Sequence, residues 1–323
     1  MRVVQVERFG PPEVLAATEV PDLVAGPGQA VIGVSAADIL FLETQVRAGL
    51  GGDFFPVSPP YVPGDGVAGA VLSVGQGVAP AWVGRPVVAH TGGYGGYAER
   101  VVVPAEALLS VPDGLSLPQA AALLNDGPVA LTIFAAAGVT PRDAVLVLAA
   151  AGGMGNLLVQ LAHQSGAQVI GAARGKRKLD QVRRSGADFV VDYSAADWPE
   201  QVLAATGGAG ADVVLDGAGG AIGRAALTVT ARGGRFSAHG APSGEFAEID
   251  PQAAERLGIA VRGIQDVQLA DQERRELAQY ILAEAAMGRI RPLIGQTYPL
   301  HQAADAHAAI AARTAIGKSV LLV

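Results

Sequence analysis

Ala144-Val145-Leu146-Val147-Leu148-Ala149-Ala150-Ala151-Gly152-Gly153-Met154-Gly155-Asn156-Leu157-Leu158-Val159-Gln160-Leu161-Ala162 is the stretch that decides the fold. Its first five residues are apolar without interruption and read as a buried strand. A turn of small residues follows, then an amphipathic helix. The turn spells Ala-x-x-Gly-x-x-Gly on Ala149, Gly152 and Gly155, with Gly153 and Met154 between. Small residues there let the backbone approach a pyrophosphate. The helix N-terminus behind them offers unpaired N–H groups and a favourable dipole. The usual fingerprint has glycine in the first place, so Ala149 is a near variant. Glycine spacing alone says little in a chain with 43 glycines. The strand before and the helix after are what point to a dinucleotide site. The competing reading is a tight strand-to-helix turn with no ligand.

Composition bounds the rest. The chain has 323 residues, is 50% hydrophobic, and so can bury a large core in about two domains. A net charge of −7 with no basic block argues against nucleic acid and anionic membrane surfaces. There is no cysteine, which removes disulfides, thiolate nucleophiles and cysteine-ligated zinc. The first residues read at once as a strand rather than a signal peptide, and no apolar run reaches the ~20 residues of a membrane span. A cytoplasmic, soluble protein is expected.

Residues 1–123 read as mostly β. Short apolar runs at 29–34, 69–75, 85–89 and 98–103 alternate with Gly and Pro, the texture of a small barrel. Residues 35–47 have few breakers and read as a helix capped by Ser35, with Asp38 at its third position. From 124 onward strand and helix patterns alternate, which predicts a doubly wound parallel sheet. Candidate strands follow at 168–173, 189–193, 213–216 and 234–237, and a basic helix at 176–185. Near 265 the texture changes again, with helices at 271–287 and 301–313 and a closing strand at 318–323. This tail is expected to return to the first domain. The expected division is 1–123 with 266–323, and 124–265.

At this point the chain resembles the medium-chain dehydrogenase/reductase superfamily, and within it the zinc-independent quinone oxidoreductase (zeta-crystallin-like) branch. The stretch 63–78, PGDGVAGAVLSVGQGV, carries the resemblance most specifically. GYAE at 96–99, VPDGLS at 111–116, the turn at 149–155 and GRIRP at 288–292 add to it. The resemblance implies a GroES-like β-barrel catalytic domain, a Rossmann domain and an active site in the cleft between them. It also implies a homodimer. Pairing across a two-fold axis would cover the sheet edge expected near 261–263.

Zinc-dependent relatives need a cysteine early in the segment after Val34 and a His-Glu pair where this chain has Asp65-Gly66. Ser35-Ala36-Ala37 stands in the first place. The five histidines, His90, His163, His239, His301 and His307, show no ligand spacing, so no metal is expected. Reduction of an electrophilic acceptor, a quinone or a conjugated enone, is favoured over alcohol oxidation.

An NAD-binding Rossmann domain usually ends its second strand in a carboxylate for the ribose 2′-OH. Here that strand ends Gly171-Ala172-Ala173, and Arg174, Lys176, Arg177 and Lys178 follow. Cations in that place suit a 2′-phosphate, hence NADPH. The resemblance implies that Lys178 and Tyr193 hold the phosphate, with Arg174 as an added clamp. It also implies that Val129, in the place of a threonine, and Gly240 lie toward the nicotinamide.

The substrate end departs from the family. Ser35 stands for an asparagine, Asp38 matches, and Arg47-Ala48-Gly49 matches only after extra residues. The family's Asn-Gly-Leu-Thr-Ala is here Asp126-Gly127-Pro128-Val129-Ala130. Ser35, Asp38, Tyr61, Tyr94, Tyr97 and Asp126 are candidate proton donors. Tyr97 also reads as structural, Asp38 also as a helix cap, and solvent could serve instead. Three functions are carried forward. They are an NADPH-dependent quinone or enone reductase, an enoyl or alkenal double-bond reductase in a biosynthetic pathway, and a non-catalytic NADPH-binding sensor.

Overall fold

The computed structural model describes residues 1–52 and 55–323. The chain forms two compact units, Met1–Asn125 with Ala278–Val323, and Asp126–Leu277. These units divide at 125/126 and 277/278, where sequence texture suggests 123/124 and 265/266. The second falls inside a continuous helix, which no change of composition marks.

The first unit opens with an antiparallel pair, β1 (Arg2–Val6) and β2 (Leu15–Glu19). Next come β3 (Gln29–Asp38), α1 (Phe41–Arg47), β4 (Gly66–Val74), β5 (Pro86–His90), β6 (Arg100–Pro104), β7 (Leu109–Ser110) and α2 (Leu117–Leu124). Its returning tail supplies the end of a helix, then β14 (Ile294–Pro299), α10 (Ala303–Ala311) and β15 (Lys318–Leu322). Seven strands join in the order β14-β15-β3-β4-β5-β7, with β6 on β3. The core is aliphatic, from Val3, Ile32, Val67, Val71, Val87, Val103 and Leu321.

The second unit runs α3 (Asp126–Ala137), β8 (Ala144–Leu148), α4 (Gly153–Gln164), β9 (Gln168–Ala173), α5 (Lys176–Arg184), β10 (Phe189–Asp192) and α6 (Trp198–Ala205). It continues with β11 (Ala211–Asp216), α7 (Gly220–Leu227), β12 (Thr230–Ala238), α8 (Pro251–Leu257), β13 (Ala260–Gly263) and the start of α9 (Asp271–Ala286). Its six strands are parallel in the order β10-β9-β8-β11-β12-β13. This is the doubly wound Rossmann order, and the order of the strands reverses between β8 and β11. All five residues of β8 are buried, as a strand covered on both faces requires. Fold class is therefore as expected, an α/β fold with a parallel-sheet Rossmann unit and a GroES-like unit.

One expectation fails. Ser35 and Asp38 do not begin a helix; both belong to β3, whose ten residues pair with β4, β6 and β15. Pairing along both edges of the strand overrides weak local propensity. Ser35 is exposed at a register shift between Val34 and Ala36, the extra residue of a bulge. The helix starts later, at Phe41, where the Glu43 Oε2 accepts from the Leu40 N–H at 3.0 Å. Asp38 caps nothing. It is fully buried, and its Oδ1 lies 2.8 Å from Lys318 Nζ, itself 7% exposed at the side chain. No single described helix is long and apolar enough to cross a membrane.

Removing one partner of a buried ion pair strands the other charge. Asp38→Ala should lower unfolding free energy by about 3–5 kcal/mol in urea titrations, and Asp38→Leu with Lys318→Met should recover most of it. A loss under about 1 kcal/mol for the single variant would mean water reaches Lys318.

Candidate cofactor cradle and polar barrel end

The carboxyl ends of the parallel strands carry most of the residues read as cofactor-binding. Ala149 leaves β8 with φ +53°, a left-handed conformation uncommon for a residue with a side chain. The Gly152 N–H donates to its carbonyl at 2.9 Å, closing the turn. A Cβ on Gly155 would lie 2.4 Å from the Ala149 oxygen, so only glycine lets α4 pack this close to the strand end. A Cβ on Gly152 would meet only that oxygen, at 3.3 Å, and otherwise project into open space. Gly152 is the N-cap of α4 and has no side chain to satisfy the first helical N–H groups. An anion is the partner such an end accepts most readily.

Beside this turn β9 ends in buried Ala172 and Ala173. Arg174 follows, exposed and in no ion pair among the described residues. Lys178 lies in the first turn of α5, and half-buried Tyr193 follows β10, its N–H donating to the Ala173 carbonyl at 3.3 Å. Gly240 follows β12, where a Cβ would lie 2.3 Å from the Gly217 oxygen, so the loops after β11 and β12 cross backbone on backbone. His239 precedes it, 5% exposed, and burial pushes its ring down to about 4. It is a neutral imidazole, anchored at 3.1 Å on Ser237 Oγ. Val129 and Asp126 lie in the first turn of α3, a helix that packs against α4 and β12.

A second gathering of polar groups lies in the first unit, where β3 ends, β4 begins and β5 ends. A Cβ on Gly66 would meet Asn125 Nδ2 at 2.7 Å and Asp38 Cβ at 3.5 Å, and His90 faces Gly66 across the β4–β5 register. Glu43 accepts from the Asp65 N–H at 3.2 Å and from the Tyr97 hydroxyl at 2.7 Å. Tyr97 in turn lies 2.9 Å from His307 Nε2. Burial pushes His307 down to about 3, so the ring is neutral. With the Tyr97 hydroxyl donating to Glu43, the His307 Nε2–H donates to the phenol oxygen. Burial pushes Tyr97 well above the ordinary tyrosine value, Tyr61 up to about 12 and Glu43 up to about 8. Tyr61 packs edge-on against Tyr94 at 5.4 Å.

Asp65 and His90 form a pair that local sequence does not reveal, since 25 residues separate them. His90 Nδ1 lies 2.8 Å from Asp65 Oδ2, and the Gly93 N–H donates to Oδ1 at 2.7 Å. Burial pushes the Asp65 carboxyl up, but His90 and the Gly92 and Gly93 N–H groups outweigh it and hold it below the ordinary value. Asp65 is an ionised acceptor, so the Nδ1 of His90 carries the hydrogen.

Zinc does not fit this chain. It has no cysteine, and no three His, Asp or Glu side chains among the described residues come together as a ligand set.

Glu43 holds its proton to about 8 in the fold against an ordinary 4.5, so the folded state binds that proton more tightly than the unfolded. The stability it contributes is full below about 4.5 and is lost as pH rises toward about 8. Glu43→Gln has no proton to lose there, while His307 and His239 titrate in both proteins and cancel. Thermal unfolding should show the variant gaining on its parent between about pH 5 and about pH 8.5. A gap constant across that range would mean the carboxyl is ionised throughout.

Comparison with known proteins agrees with both units. A family model described as the alcohol dehydrogenase GroES-like domain matches residues 26–113, and one described as zinc-binding dehydrogenase matches 153–281. A 2-haloacrylate reductase from a Burkholderia species is 33% identical over 98% of this chain and 97% of its own. The quinone oxidoreductase of Sus scrofa is 30% identical, covering 100% and 98%. The crystal structure of Escherichia coli quinone oxidoreductase complexed with NADPH superposes with a TM-score of 0.90 at 28% identity, covering both chains fully. With this fold, this turn and these relatives, the chain belongs to the medium-chain dehydrogenase/reductase superfamily, in its quinone oxidoreductase branch.

Proposed function

We propose that this chain is an NADPH-dependent oxidoreductase that reduces a quinone or a conjugated enone without zinc. The observation that carries the reading is the end of β9. Ala172 and Ala173 offer no carboxylate to a ribose hydroxyl, and an exposed Arg174 follows them. The relative solved with NADPH supports the same cofactor, and the relatives named for quinones and a 2-haloacrylate support an electrophilic acceptor. The haloacrylate relative favours a second form of the reading, reduction of a double bond conjugated to a carboxylate.

The residues present fit the cofactor. The first turn of α4 and the space beside Gly152 would take the pyrophosphate, with Ala149, Gly153, Met154 and Gly155 shaping the cradle. Arg174, Lys178 and Tyr193 would take the 2′-phosphate, and the loop at Gly240 would border the nicotinamide half. When bound, NADPH supplies the hydride. The chain's own task is to orient donor and acceptor and exclude water. We further propose a homodimer paired through β13, the outer strand of the sheet, whose Val261 is 39% exposed. Light scattering should give twice the chain mass; a monomer at micromolar concentration would count against it.

A hydrogen bond to a charged group is worth about 1.5–3 kcal/mol, so the parent should bind NADPH at least about tenfold tighter than NADH. Replacing Arg174 and Lys178 together by Ala should erase most of that preference by weakening NADPH alone. Calorimetric titration of both cofactors decides it. Equal parent affinities, or a parallel loss of both, would reduce the basic run to a solvated helix face.

A further inference from the structure

We propose that His239 positions the cofactor, its Nε2 taking a hydroxyl of the ribose on the nicotinamide side of the dinucleotide; this rests on the function proposed above. Every group involved belongs to the second unit. A parallel sheet of this order binds a dinucleotide across the crevice where its strand order reverses, one mononucleotide to each half. The half built on β8, β9 and β10 carries the turn at Gly152 and the cations Arg174 and Lys178. The half built on β11, β12 and β13 is left for the nicotinamide mononucleotide.

Side chains that can hydrogen-bond are scarce at these strand ends. The turn after β8, Ala149-Ala150-Ala151-Gly152-Gly153-Met154-Gly155, offers none. After β11 the chain reads Gly217-Ala218-Gly219-Gly220. Asp216, which closes β11, is fully buried. Its Oδ1 accepts from the N–H groups of Ala218 and Gly219 at 2.8 and 2.9 Å, and its Oδ2 lies against Gly223 of α7. After β12, Ser243 Oγ donates to the Ala218 carbonyl at 2.7 Å. His239 is the side chain left uncommitted there.

The imidazole is fixed before any ligand arrives. The N–H groups of His239 and Gly240 both donate to the Asp216 carbonyl at 3.0 Å, which ties the end of β12 to the end of β11. Nδ1 is held at 3.1 Å from Ser237 Oγ. Nε2 is turned toward Gly217, where a Cβ would lie 3.4 Å from it, 3.1 Å from the Leu148 carbonyl oxygen and 3.7 Å from the Ala149 Cβ. One glycine thus brings Nε2 up to the end of β8, at the point where the strand order reverses. Nε2 has no hydrogen-bond partner among the described residues. The ring stays neutral down to about 4, so it has no charge to offer a phosphate. A hydroxyl both donates and accepts, and so suits a neutral imidazole in either tautomer.

Calorimetric titration of the parent, His239→Phe and His239→Gln tests the contact. The probes are NADPH, NADPH lacking the 2′- or the 3′-hydroxyl of the nicotinamide ribose, and adenosine 2′,5′-bisphosphate, which reaches the other half alone. One neutral hydrogen bond corresponds to about three- to tenfold in affinity. His239→Phe should weaken NADPH by that factor and leave the bisphosphate unchanged. One of the two deoxy analogues should bind the parent as weakly as NADPH binds His239→Phe, and should lose nothing more in that variant. His239→Gln, whose amide reaches the place of Nε2, should recover most of the loss. Deoxy analogues that both bind the parent as tightly as NADPH would overturn the contact, whether or not His239→Phe folds. An equal loss of NADPH and the bisphosphate in His239→Phe would also overturn it, since the ring would then only shape the sheet edge. A parent that binds NADPH but reduces no acceptor overturns the proposed function and keeps the contact; a parent that binds no NADPH overturns both.

Discussion

The approach of α4 to the end of β8 is the contact on which the second unit depends. Gly155 lies so near the Ala149 carbonyl that a single Cβ would fall 2.4 Å from its oxygen. That closeness fixes where the helix N-terminus points, and the first N–H groups of the helix have no side-chain cap. It also holds Ala149 at φ +53°, so the turn carries some backbone strain to keep its shape. The same device recurs on the other side of the switch point, where Gly240 crosses Gly217. Two backbone-on-backbone crossings therefore bracket the crevice, and neither leaves room for a side chain to fill it.

The first unit solves a different problem. An aliphatic barrel gains nothing from burying Asp38, Lys318, Glu43, Arg47 and His307, because desolvation of charge costs more than most pairings return. The barrel limits that cost by keeping the histidine neutral, holding Glu43 protonated to about 8 and pairing Asp38 with Lys318. Arg47 donates from Nη1 and Nη2 to the carbonyl oxygens of Gly10 and Thr44. Asp38 lies beside Gly66, which faces His90 across the β4–β5 register.

Local pattern carried the second unit further than the first. The strand, turn and helix at 144–164 could be read directly, because each signal is contiguous and the periods differ. The helix α2 carries a capping box of Ser116 and Gln119 that the sequence displays but a search for strands passes over. Asp38 and Ser35 were misread because a strand paired on both edges needs no local propensity of its own. The Asp65–His90 pair was invisible for a plainer reason. Its members lie on adjacent antiparallel strands, and only the register that sets Gly66 opposite His90 brings them together.

The end of β9 shows how far residue type alone can mislead about a cofactor. Asp192 ends the neighbouring strand, level with Ala173, and from sequence it could pass for the missing ribose carboxylate. Its oxygens are spent. Oδ2 accepts from the Gly175 N–H at 2.9 Å, and Oδ1 from the Ser194 N–H at 2.9 Å. Burial pushes the carboxyl up, but these bonds and the nearby Arg174 charge outweigh it and keep the group ionised. Asp192 thus holds the loop that presents Arg174 and sets the start of α5. A carboxylate bound this way is first of all a clamp on the backbone between β9 and α5.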